Sequence, residues 1–127
     1  IIPALKRLFT NADVLLALPD PLVFNKNTAQ SLLLTSYRAQ IPLIAYSKSY
    51  VSAGALAAVY STPAQIGQQA VELLVRLMQA KTLTLPSPQY PKYFSVSVNY
   101  QVARSLGLTI ESEAALLEQI KAGMERE

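Results

Sequence analysis

The apolar positions of this chain form short runs closed by turn residues, and the spacing within the runs changes along the chain. Val14 to Leu18 is an unbroken apolar run, stopped by Pro19, Asp20 and Pro21. A run of that length with turn residues behind it predicts a buried strand of the kind found in parallel sheets. Asn27 or Thr28 then caps a helix reaching about Ala39, with Leu32, Leu33 and Tyr37 among its buried positions. Ile41-Pro42 ends that helix, and Leu43 to Tyr46 is a second short apolar strand. Ser47 to Ser52 reads as a polar loop, and Gly54 opens a third apolar run that ends at Tyr60. Strand, helix and strand at this spacing make a βαβ unit, expected to cross over right-handedly.

The second half has its own punctuation. In STPAQ, residues 61–65, Thr62 is an N-cap, Pro63 sits at the first helical position and Gln65 completes a capping box. Ile66, Ala70, Leu73, Leu74, Leu77 and Met78 follow at helical period, and the helix is expected to end near Ala80. Thr82 to Lys92 holds Pro86, Pro88 and Pro91 and reads as an extended linker. Phe94 to Val98 alternates apolar and polar, a strand with one apolar face. Tyr100 to Leu106 is a short helix with Gly107 in its C-terminal cap, and Ser112 caps a last helix carrying Leu116, Leu117, Ile120 and Met124. The opening residues IIPALKRLF read as the end of a helix feeding the first strand, as though the chain were the C-terminal part of something longer.

Composition narrows the chemistry. The chain has 127 residues, 51% of them apolar, enough for one domain with a real core. It has no cysteine and no histidine. Thiol and imidazole ligands, cysteine nucleophiles and histidine bases are therefore absent. Up to Ile110 the acids are Asp13, Asp20 and Glu72 alone. A catalytic constellation is hard to build from these, so neither an enzyme nor a metal or organic cofactor is expected. Residues 1–110 carry nine basic side chains against three acids, but singly and without aromatic interleaving. That pattern is solvated surface, and no nucleic-acid partner is expected. No apolar run reaches the length of a membrane span, and no signal-peptide pattern is visible ahead of the first strand. Asp20 stands out: a carboxylate held between two prolines just past the end of a buried strand, where open α/β sheets bind ligands.

The order DVLLALPDPLVFN, IPLIAYSKSYVSAGALAAVYS, IGQQAVELLVRLM and FSVSVNYQVARSLGL carries a resemblance. Over residues 12 to 110 the chain resembles the C-terminal portion of ABC-transporter substrate-binding proteins of the tryptophan/tyrosine type. The resemblance implies an α/β class with a Rossmann-like parallel sheet, part of the two-lobed type I periplasmic binding-protein fold. Residues 1–60 would be a βαβ segment of the C-terminal lobe. Residues 61–92 would be a crossover helix and proline-rich linker belonging to the N-terminal lobe, and residues 93–127 the returning strand and last helices. It implies hinge closure over a small, amino-acid-like ligand, an ABC permease as partner, and a periplasmic location with a signal peptide upstream. The same fold also serves as the ligand sensor of signalling proteins. Most of the N-terminal lobe would be missing, so copies of the chain are expected to associate.

The candidate site residues follow from their places at strand ends. Asp20 would meet a ligand ammonium or hydroxyl, as the matching acid does in the family; otherwise it is a turn residue. Asn25 reads as a second polar contact or as the residue that starts a helix. Tyr46, Ser47 and Tyr50, past the second strand, would supply an aromatic wall with a hydroxyl. Gly54 and Ala55 would let the backbone approach the ligand, or Gly54 would only serve a turn.

Overall fold

The computed structural model describes residues 2–80, 84 and 86–125. The chain divides into two compact units: residues 1–59 with 96–127, and residues 60–95. The first unit is built around a sheet whose strands are β1 (Leu15–Leu16), β2 (Leu43–Ala45), β3 (Ala57–Tyr60) and β4 (Ser95–Val98), in that order. β1, β2 and β3 are parallel, in the register Leu15 beside Leu43, Leu16 and Ala57 beside Ile44, and Ala58 beside Ala45. The Asn99 amide donates to the Leu56 carbonyl at 2.8 Å and sets the end of β4 beside the start of β3. The expected mixed α/β class with a mostly parallel sheet is what the structure has.

The helices are α1 (Ile2–Leu8), α2 (Lys26–Arg38), α3 (Lys48–Ala53), α4 (Pro63–Gln79), α5 (Tyr100–Ser105) and α6 (Glu113–Met124). The core of the first unit combines Leu5 of α1, Leu32 and Leu33 of α2 and Val51 of α3 with Ala17, Leu43, Ala45 and Ala58 from one sheet face. Ser36 of α2 is also buried, and its hydroxyl donates to the Ile41 carbonyl, satisfying a polar group inside the core.

Three expectations need correction. The first strand is not buried on both faces: Val14, Leu16 and Leu18 are 51%, 61% and 63% exposed, while Ala17 is 3% exposed. β1 is the outer strand of the sheet, and period-two geometry sends these three side chains to its open face. The cap of α2 is Asn25, two to three residues earlier than expected, in a capping box with Thr28. Ser47 to Ser52 is not a loop: Lys48–Ala53 is helical, ended by Gly54 at φ +124°. On β4 the expected apolar face is present, Phe94, Val96 and Val98 all being buried, and Ser97 between them is buried as well.

The second unit is α4 and the segment returning to β4. Its start is as expected, with Pro63 in the first turn and the reciprocal Thr62–Gln65 bonds in place. Its apolar stripe is only partly covered: no residue of α4 is fully buried, Leu73 and Leu77 are half-buried, and Ile66, Leu74 and Met78 are 60%, 56% and 70% exposed. Of the expected linker, Thr82, Leu83 and Leu85 lie outside the described residues; Pro86 to Pro91 has no regular structure.

Candidate functional site

The C-terminal ends of β1 and β2 lie side by side, and the chain leaving each brings aromatic residues together. After β1, Asp20 organises a tight turn. Its carboxylate accepts the Leu22 amide at 2.8 Å, and its carbonyl accepts the Phe24 amide at 2.7 Å. The turn delivers Phe24 and then Asn25, whose side chain is committed to backbone. Asn25 Oδ1 accepts the amides of Asn27 and Thr28, and Nδ2 donates to the Pro21 carbonyl at 3.0 Å. After β2 come Tyr46 and, four residues later, Tyr50 on α3.

The rings form a three-sided cluster. Phe24 stands edge-on to Tyr46 and to Tyr50, with centroids 6.3 Å apart in both pairs, and Tyr46 and Tyr50 are 5.3 Å apart. These are favourable geometries for aromatic pairs. Tyr46 donates to the Phe24 carbonyl at 3.5 Å and so ties the two strand exits together. Burial, then a hydrogen bond to Tyr46 and that neighbour's charge, push the Tyr50 phenol up to about 12. Beside the rings lies a mainly apolar cavity of about 360 Å³, lined by Phe24, Asn25, Lys26, Ala29, Tyr46, Ser49, Tyr50 and Ala53.

Three of the seven candidate residues, Asn25, Tyr46 and Tyr50, meet at this cavity. Asp20 is exposed in its turn and does not line it. Ser47 precedes α3 and makes no side-chain cap bond. Gly54 lines a separate cavity with Gln30, Leu33 and Val102, and Ala55 is 0% exposed in the core. Phe24, Lys26 and Ser49 escaped the sequence analysis. Ser49 was assigned to a loop.

The second unit holds a larger cavity, about 580 Å³, lined by Gln69, Glu72, Val75, Arg76, Tyr90 and Lys92 among others. Much of its polar chemistry is already used. Lys92 pairs with Glu72 at 2.8 Å, the Tyr93 hydroxyl donates to the same carboxylate, and Gln69 exchanges bonds with the Tyr90 carbonyl and the Lys92 amide. These bonds pull Glu72 below the usual carboxylate range, with Lys92 the larger cause and Tyr93 next. They fasten the Tyr90–Tyr93 segment to α4 and read as a structural staple. Among the described residues, no group of three or more acids is placed to hold a metal ion, and no helix is long and apolar enough to cross a membrane.

Comparison with known proteins adds a family and a fold. Residues 2–121 match the model of a family described as ABC transporter substrate binding protein. No curated protein sequence matches the chain. Among solved structures, a conserved domain protein from Vibrio cholerae is 27% identical with a TM-score of 0.61, over 91% of this chain and 38% of that one. A substrate-binding protein with adhesive properties from Clostridium difficile, in a ligand-free, open structure, is 22% identical with a TM-score of 0.66, over 87% and 37%. The ABC domain from Streptococcus pneumonia in complex with L-Trp is 16% identical with a TM-score of 0.60, over 88% and 37%. The chain thus spans under two fifths of the length of each of these three solved proteins.

Proposed function

We propose a function from one premise: the chain belongs to the ABC transporter substrate-binding protein family. It binds a small, amino-acid-like ligand without chemistry, and the cavity walled by Phe24, Tyr46 and Tyr50 receives the apolar or aromatic end of that ligand. The observation that carries this reading is the cavity's position. It sits past the C-terminal ends of two adjacent parallel strands, the place where open α/β sheets take ligands. The L-Trp bound to the Streptococcus pneumonia neighbour supports an amino-acid-like ligand.

The remaining contacts come from a second lobe, in the part of the longer relatives that this chain does not span. Closure about a hinge then sequesters the ligand, contacts with both lobes favouring the closed form. An ABC permease is the partner that reads the closed form, and the periplasm is the compartment this role requires. Copies of this chain also associate through the uncovered apolar side chains of α4.

Amide NMR of the 127-residue chain, titrated with a panel of L-amino acids, tests the site. Aromatic members should shift the amides of 24–29 and 46–53 and leave α6 unmoved. Shifts confined to the second unit, or none at millimolar ligand, would refute it.

A further inference from the structure

We infer that the groove between α1 and α2 is a second binding site, separate from the ligand cavity, for a phosphate group carried on an apolar body. The groove holds a cavity of about 530 Å³, lined chiefly by Ile2, Lys6, Phe9 and Thr10 on one side and by Thr35 and Arg38 of α2 on the other. It shares no lining residue with the cavity beside Phe24, Tyr46 and Tyr50.

Two cations meet at this groove with nothing to neutralise them. Lys6 and Arg38 line it from different helices, no acidic side chain does, and neither takes part in an ion pair among the described residues. Each stands in the last turn of its helix, where a cation commonly serves free carbonyls. Here those carbonyls have other partners. Leu5, Arg7 and Leu8 accept the amides of Phe9, Thr10 and Asn11, and Thr35, Ser36 and Tyr37 accept those of Ala39, Ile41 and Gln40. The Thr10 hydroxyl adds a second bond to the Arg7 carbonyl at 2.7 Å, and the Gln40 side chain one to Tyr37 at 3.2 Å. The two cationic side chains are left over once the helix ends are closed.

The donor set selects the anion. A guanidinium offers a planar fork to two oxygens of one group, and an ammonium reaches a third. Thr35 is half-buried, and its hydroxyl bonds no protein group among the described residues, so it has a hydrogen to give. A phosphate monoester has three terminal oxygens and a charge of about −1.5 to −2, which matches two cations and a hydroxyl. A carboxylate, with one charge, would leave one cation unmet. Beside these donors Ile2 is 42% exposed and Phe9 is half-buried. They give the groove an apolar wall that a bare ion leaves wet and a carbon chain on the phosphate covers.

The test uses butyl phosphate, inorganic phosphate and butanol on the full 127-residue chain, followed by the amides of 4–10 and 35–39. Butyl phosphate should shift these amides and bind about fourfold or more tightly than inorganic phosphate, the worth of one buried CH2 group. Butanol should leave them unmoved. Lys6→Gln and Arg38→Gln should each weaken butyl phosphate about three- to tenfold, between the worth of an exposed ion pair and of a charge-assisted hydrogen bond, with the melting temperature unchanged. Vesicles of phosphatidylcholine with and without phosphatidic acid then separate the sources of the phosphate. Co-sedimentation that needs phosphatidic acid and is lost in the double variant assigns a lipid headgroup, and butyl phosphate binding without co-sedimentation assigns a soluble phosphate compound. The inference is overturned if butyl phosphate at millimolar concentration leaves these amides unmoved, or if the double variant binds it as the native chain does. It is overturned equally if inorganic phosphate binds as tightly, or if the shifts spread alike to Lys26 and Lys48. None of these outcomes bears on the ligand cavity.

Discussion

Asp20 spends one carboxylate oxygen on the Leu22 amide, and the turn it closes sets the position of Phe24. The carboxylate thus holds the backbone turn that leads to Phe24. Asparagine offers the same kind of acceptor and alanine offers none. Asp20→Asn should therefore leave both the melting temperature and the binding of an aromatic amino acid unchanged. Asp20→Ala should lose about 0.5–1.5 kcal/mol of stability, the net worth of one hydrogen bond, and bind more weakly. Calorimetry of both variants separates the two roles. A tenfold loss of affinity in Asp20→Asn at unchanged stability would instead make the carboxylate a direct ligand contact. Strand-end residues were the legible part of the site, because a buried run closed by turn residues marks where the sheet stops. Asn25, Tyr46 and Tyr50, which line the cavity, were singled out in that way. Lys26 and Ser49 were not, since their nearness to the rings depends on where α2 and α3 begin.

At the scale of elements, capped helices were easier to read than short ones. The Thr62–Gln65 capping box and Pro63 announced α4 to within a residue. α3 has six residues, too few for a period to show, and its boundary depends on Gly54 adopting φ +124°. Burial was harder to read than secondary structure. An apolar run shows that a strand can be buried, while the neighbours that bury it lie elsewhere in the fold, as β1 at the sheet edge demonstrates. The Glu72–Lys92–Tyr93 staple was not legible either, because its partners lie about 20 residues apart across the proline-rich segment. Its pH response has a definite sign. Glu72 is lowered from 4.5, so its contribution is complete above the ordinary carboxylate range and lost as pH falls through the lowered folded value. Lys92 is raised from 10.5, chiefly by Glu72, so its contribution is complete below that value and lost as pH rises through the higher one. Between these limits the staple is closed. Amide exchange of Tyr90, Lys92 and Tyr93 should speed up, beyond the intrinsic dependence on pH, once Glu72 is protonated. In Glu72→Gln the staple should be loose at neutral pH, with no further loosening on acidification.

For the whole molecule, the open question is what covers the apolar surface that the two units leave wet. On α4, Ile66, Val71, Leu74, Val75 and Met78 are between 44% and 70% exposed, and no residue of the helix is buried. Burying a large apolar side chain is worth roughly 1.5–3 kcal/mol, so several of these on one helix form a strong incentive to associate. Exposed apolar side chains in this number make α4 a candidate interaction surface. Two copies recover the burial by pairing their α4 helices or by exchanging elements across the segment 82–92. We therefore expect the 127-residue chain to be a dimer or larger at micromolar concentration, its interface including α4 and at least one of the strands at 55–60 and 94–98. Sedimentation velocity checks the mass. Leu74→Lys, which places a charge on the exposed stripe without touching the capping box, should shift the chain toward monomer and leave its helix content intact. A native chain that sediments as a monomer, with Leu74→Lys indistinguishable from it, would mean that the exposed side chains of α4 draw no second copy. The dimer would then be rejected, while the ligand cavity in the first unit, whose lining includes no residue of α4, would be unaffected.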